Sequence, residues 1–136
     1  MMSAATAETY AQRLEHAWPE LRARVESAAR AAHRGAATVR VVAVTKGHPL
    51  EAVDAALAAG LRDLGENRLE ELEDKVRARG RATVTWHMIG HVQGRKAKRV
   101  AELAHLTHSV DSEKLAERFA RIGVESSTEV RVLAQV

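Results

Sequence analysis

The sequence has no cysteine, which removes disulfides, thiolate metal sites and a cysteine nucleophile in one step. Aromatic residues make up only 3%, so rings on which single-stranded bases could stack are not interleaved with the basic residues. A dominant charge sign is also missing, since 21 basic residues against 18 acidic ones leave a net +3. The signs alternate along most of the chain, and a nucleic-acid partner is therefore not expected. No apolar run approaches membrane-spanning length. Met1-Met2-Ser3-Ala4-Ala5-Thr6 lacks the basic region and apolar core of a leader. No membrane partner is expected, and the cytoplasm is the default compartment. Long linkers and low-complexity stretches are absent, so residues 1–136 are expected to form a single domain.

What the sequence does contain is a regular alternation. Tyr10, Leu14, Trp18, Leu21, Val25 and Ala28 recur every three or four residues within 6–33, an amphipathic helical pattern. Pro19 inside it predicts either a kink near Trp18 or a new helix with Pro19 in its first turn. Residues 38–46 are rich in valine and read as a buried strand between Gly35 and Gly47-His48-Pro49. Pro49 opens a helix with Leu50, Val53 and Leu57 inward. Residues 61–66 form a second strand, and Asn67 caps the next helix with Glu70 three residues later. Residues 82–89 form a third strand with Val84, Trp86 and Met88 on one face. A basic helix over 95–103, a strand over 106–110, a helix capped by Asp111 or Ser112 with Leu115, Phe119 and Ile122 inward and Gly123 at its end, and a strand over 130–136 complete the series. The pattern predicts an α/β fold, an incomplete parallel (β/α) barrel of the TIM type, with five strands and an N-terminal helical extension.

The chemistry in this pattern gathers at one end of the sheet. In the first strand Val42, Val44 and Lys46 share a face, and Lys46 leaves the carboxyl end, where parallel sheets bind ligands. A lysine held there against apolar neighbours would expose a nucleophilic amine suited to a carbonyl compound. Glu66, Asn67, His87 and Ser109 fall near the same end of their strands. The expectation is a carbonyl cofactor linked to Lys46, with Asn67 and His87 positioned to contact or orient it. Competing motifs fail on spacing. Gly90 and Gly94 before Arg95-Lys96 lack the interval and the hydroxyl residue of a phosphate loop. His87 and His91 lack the helix and the adjoining glutamate of a zinc protease, and no metal site is expected. Arg95, Lys96, Lys98 and Arg99 read as a solvated helix face, the alternative being an anion-binding or interaction surface.

Several segments together resemble the pyridoxal 5′-phosphate homeostasis proteins, which are similar to the barrel domain of alanine racemase. The residues carrying the resemblance are Val42-Ala43-Val44-Thr45-Lys46 with Pro49, Gly65-Glu66-Asn67, Trp86-His87-Met88-Ile89-Gly90 with Gln93 and Lys96, and His108-Ser109-Val110-Asp111. The resemblance implies that Lys46 carries pyridoxal 5′-phosphate as an aldimine and that Asn67 lines the cofactor pocket. It further implies a role in vitamin B6 and amino-acid homeostasis without catalytic turnover. A racemase-like enzyme on the same barrel is the alternative. Arg95 stands where the family has asparagine. The family chain runs on beyond the strand matched by 130–136, and that further part carries the phosphate loops and the arginine that meets the pyridine nitrogen. Because a barrel typically takes about 250 residues, the chain is expected to be a truncated form that self-associates or pairs with the missing barrel half.

Overall fold

The structure, a computed structural model, describes residues 7–136. Expectations that fall on Met1 to Thr6 lie outside the described residues. The chain divides into two compact units, one of 7–41 with 48–61 and one of 42–47 with 62–136.

The first unit is helical. Helix α1, Tyr10–Ala31, is opened by Thr9, whose side chain accepts from the Gln12 N–H while Gln12 returns the bond to the Thr9 N–H. The helix runs through Pro19 without a break, so no new helix begins there. Its stripe is only half-buried at Tyr10, Leu14, Trp18 and Val25, and Ala29 is its one buried residue. A 3-10 helical turn over Ala36–Thr38 follows. Helix α2, Leu50–Ala58, starts after Pro49 and buries Ala52, Val53, Ala55 and Ala56. Gly60 then reverses the chain at φ +86°, a conformation that suits only glycine without strain. The Tyr10 hydroxyl meets His48 Nδ1 at 3.1 Å, tying the start of α1 to the approach to α2.

The second unit is a parallel sheet with helices. Its strands are β1 (Ala43–Val44), β2 (Asp63–Glu66), β3 (Thr85–Met88), β4 (Leu106–Val110) and β5 (Val132–Ala134), in the spatial order β1-β2-β3-β4-β5. Between them run α3 (Leu69–Arg79), α4 (Ala97–Leu103, after a 3-10 turn at Gly94–Lys96) and α5 (Glu113–Ser126). Every neighbouring pair is parallel and consecutive. That winding is the barrel type, without the reversal of strand order that marks a doubly wound sheet.

Register sorts the side chains. Leu64, Glu66, Trp86, Met88, Thr107 and Ser109 share one face and are all buried. Helices α3, α4 and α5 bury Leu69, Leu72, Val76, Val100, Leu103, Leu115, Phe119 and Ile122. The opposite face carries Val42, Val44, Gly65, His87, Ile89 and His108 and is less covered, Val44 being 48% exposed. The predicted strands are all present; β4 keeps its predicted length, the other four are shorter, and β1 shrinks most, from 38–46 to Ala43–Val44.

Two expectations about helix ends need correction. Asn67 does not cap α3: the cap position is Arg68, with no side-chain bond, and Glu70 instead binds Lys96 at 2.6 Å. Helix α5 does not stop at Gly123 but continues to Ser126, closing at Ser127 in the left-handed conformation. Its start is as predicted, with the Ser112 hydroxyl accepting from the Leu115 N–H.

Candidate functional site

Lys46 lies in the turn that leaves β1 and is exposed. The burial that was expected to strip water from its ammonium group is not provided here. What the structure does provide is a firmly held backbone. Thr45 N–H donates to the Gly65 carbonyl at 3.1 Å, and the buried Thr45 hydroxyl donates to Glu66 Oε1. The Gly47 N–H donates to Glu71 Oε1 at 2.8 Å, and Gly47 itself adopts φ +71°.

These bonds converge on Lys75. Its Nζ donates to the Thr45 carbonyl at 2.8 Å, to Glu66 Oε1 at 2.7 Å and to Glu71 Oε1 at 2.8 Å, which uses all three ammonium donors. The Lys75 and Glu66 side chains are 6% and 0% exposed, so this is a buried ion pair, with Glu71 at its more open end. Glu66 Oε2 is buried and has no hydrogen-bond partner. Burial pushes the Glu66 carboxyl above the usual carboxylate value, against the downward pull of the Lys75 and Thr45 hydrogen bonds. Partial burial acts upward on Glu71 as well, yet the Lys75 and Gly47 hydrogen bonds hold it below that value.

Asn67 follows β2 directly and is exposed. Its place is fixed by Gly90: a Cβ there would come within 2.0 Å of the Asn67 carbonyl oxygen and 2.6 Å of its Oδ1. Asn67 lines a cavity of about 320 Å³ whose other walls include Arg68, Glu70, His91, Gln93 and Lys96.

His87 stands one residue before the end of β3 and is buried. Its Nε2 lies 2.8 Å from Asp63 Oδ1, and its Nδ1 lies 2.8 Å from His108 Nε2. The Asp63 carboxylate accepts from Nε2, while Nδ1 shares a hydrogen with His108 Nε2, the donor there being set by the tautomer. Burial, and then the proximity of His87, push His108 below the ordinary imidazole value. Both nitrogens of His87 are thus committed inside the sheet.

Parallel strands in consecutive order bring Lys46 and Asn67 to the carboxyl end of adjacent strands. His87 stands back within its strand. The Ser109 hydroxyl, on the opposite face, donates to the Gly90 carbonyl at 2.5 Å and braces that loop instead. Lys75 and Glu71 were not singled out from sequence. Their four-residue spacing is a common surface pattern, and only the contact with Glu66 shows that the pair turns inward. Of the basic helix residues, Lys96 pairs with Glu70, and Arg99 pairs with Glu73 at 2.5 Å and Glu102 at 3.0 Å. Arg95 bonds the neutral Gln93 at 3.0 Å, so acidic neighbours offset Lys96 and Arg99 on that face.

A parallel sheet wound in chain order, with helices between its strands and an exposed amine after the first, places the chain in the β/α-barrel class. Within that class it belongs to the alanine racemase N-terminal domain family, whose pattern matches residues 18–136. A protein of Pseudomonas aeruginosa named pyridoxal phosphate homeostasis protein is 45% identical over 98 residues, covering 72% of this chain and 43% of that one. Its namesake from Vibrio cholerae is 35% identical over 129 residues, covering 92% and 53%. Among solved structures, PipY of Synechococcus elongatus with PLP bound is 37% identical with a TM-score of 0.67, covering 79% of this chain and 51% of PipY. A protein of Bifidobacterium adolescentis superposes with a TM-score of 0.79 at 29% identity, covering 95% of this chain and 56% of that one. The chain thus spans about half the length of the curated relatives it matches.

Proposed function

We propose that this chain carries pyridoxal phosphate on Lys46 and serves vitamin B6 and amino-acid homeostasis in the cytoplasm without catalytic turnover. The observation that carries the reading is the exposed Lys46 amine at the carboxyl end of β1, on a backbone pinned on both sides. The donor set fits such a group. A primary amine condenses with an aldehyde with loss of one water, and the exposed Asn67 amide in the adjoining loop supplies a donor and an acceptor beside it. His87 would orient the site through His108, having no free ring nitrogen of its own.

The relatives' names and PLP-bound PipY support the cofactor. The carrier reading is favoured over a racemase-like one because racemisation needs acid/base groups on both faces of the cofactor. His87, the buried imidazole nearest that end, is spent on Asp63 and His108.

The test is titration of the chain and of Lys46→Ala with pyridoxal phosphate, followed by incubation with alanine in deuterium oxide. Saturable binding weakened at least about tenfold in the variant, equivalent to about 1.4 kcal/mol, with no deuterium entering at Cα, agrees with the proposal. Equal binding by both chains overturns the role of Lys46, and deuterium uptake overturns the carrier assignment. We also infer that the sheet edges accept further strands. Val44 on β1 and Val132 and Leu133 on β5 are 48%, 36% and 47% exposed, and unpaired apolar edges recruit partners.

A further inference from the structure

A lysine that must present its amine in one direction needs its backbone fixed. Peptide units are planar, so the direction of a Cα–Cβ bond is set by the φ and ψ that separate the two flanking planes. The plane before Lys46 contains the Thr45 carbonyl, and the plane after it contains the Gly47 N–H. Lys75 Nζ holds the first at 2.8 Å. Glu71 Oε1 holds the second at 2.8 Å and is itself bonded to Lys75 Nζ at 2.8 Å. One ammonium–carboxylate pair on α3 therefore grips both planes, and Glu66 anchors that pair from within the sheet at 2.7 Å.

We propose that Lys75 and Glu71 form a clamp that fixes the two peptide planes around Lys46 and so aims its amine. They are positioning residues and touch no reacting atom. The clamp also accounts for choice among amines. The chain has five lysines, and Lys75, although nearest the site in the fold, has every donor engaged and is buried. Lys96 is engaged with Glu70. Lys98 and Lys114 are exposed as well, on α4 and α5, so Lys46 is set apart by its place after β1 and by its rigid base.

The proposal rests on the assignment of Lys46 as the cofactor amine, and its test has one readout that does not. Glu71 is part-exposed, so Glu71→Leu removes the Gly47 anchor without emptying the core, whereas Glu71→Gln keeps an oxygen that can accept from Gly47. Hydrogen exchange at the Gly47 amide is measured without cofactor. Protection is expected to fall at least about tenfold in Glu71→Leu, to be regained in Glu71→Gln, and to stay unchanged at the Thr45 amide, which bonds to Gly65. Trapping of pyridoxal phosphate on Lys46 by borohydride is then expected to slow about tenfold in Glu71→Leu and to recover in Glu71→Gln.

Unchanged Gly47 protection in Glu71→Leu would overturn the clamp. So would lost protection with undiminished trapping at Lys46. Absence of trapping at Lys46 in the unaltered chain would sink the cofactor assignment, and the exchange data would still decide whether the clamp exists.

Discussion

At the scale of single residues, the strongest constraint is a buried charge. Glu66 has one oxygen bonded to Lys75 and Thr45 and another without a partner, within a fully buried side chain. Its carboxyl is raised by burial, so the folded chain holds a proton that the unfolded chain releases at the ordinary carboxylate value. The corresponding stability is present below that value and lost as pH rises through the raised one. Urea unfolding midpoints of Glu66→Gln, measured upward from the ordinary carboxylate value, are expected to lack this fall. A variant as steep as the unaltered chain would contradict it. Removing Lys75 is a different case, because it strands a buried carboxylate. Lys75→Met is expected to cost about 3–5 kcal/mol in urea unfolding, in keeping with the loss of one partner of a buried ion pair. Gly90→Ala would drive a methyl group into the Asn67 carbonyl and is expected to cost about 3 kcal/mol, at the upper end of overpacking effects.

Elements were legible in the sequence where a local signal and a buried face coincided. Strand β4 falls on the predicted residues, and α5 starts after its Ser112 cap and buries Leu115, Phe119 and Ile122 as its period requires. Phe119→Ala is expected to destabilise by about 3–5 kcal/mol, read as a lowered urea midpoint. Legibility failed where tertiary bonds outweighed local preference. Asn67 and Glu70 have capping-box spacing, but Glu70 finds Lys96 on the next helix, and Asn67 is held against Gly90. The valine run at 38–46 contributes only two residues to the ladder, because the residues before Ala43 have no sheet partner there. The clamp could not be read at all. Glu71 and Lys75 look like a surface pair until Glu66, buried on the neighbouring strand, is placed beside them.

The molecule as a whole carries a parallel sheet with two apolar edges, and no helix among the described residues is long and apolar enough to cross a membrane. If the edges take further strands, sedimentation velocity should show association of this chain that grows with concentration, and charged residues at Val132 and Leu133 should suppress it. A single slow species at every concentration would contradict this. The pH response adds a second property of the assembled sheet. His105 and His108 are both lowered, chiefly by burial. The unfolded chain therefore binds protons first as pH falls below the ordinary imidazole value, and stability is lost through the lowered values. His108→Gln should flatten that acid limb in urea midpoints taken as a function of pH. The sequence showed the order of strands and the place of Lys46, while the linkage of Asp63, His87 and His108 depended on strand register.

If Lys46 carries the cofactor, one amine among five is singled out. The most direct test is to mix the chain with pyridoxal phosphate, reduce with borohydride and locate the modified residue by peptide mass, with Lys46→Ala alongside. The added mass is expected on Lys46 and not on Lys75, with loss of the label in the variant. Labelling scattered over Lys96, Lys98 and Lys114, unchanged by Lys46→Ala, would contradict it.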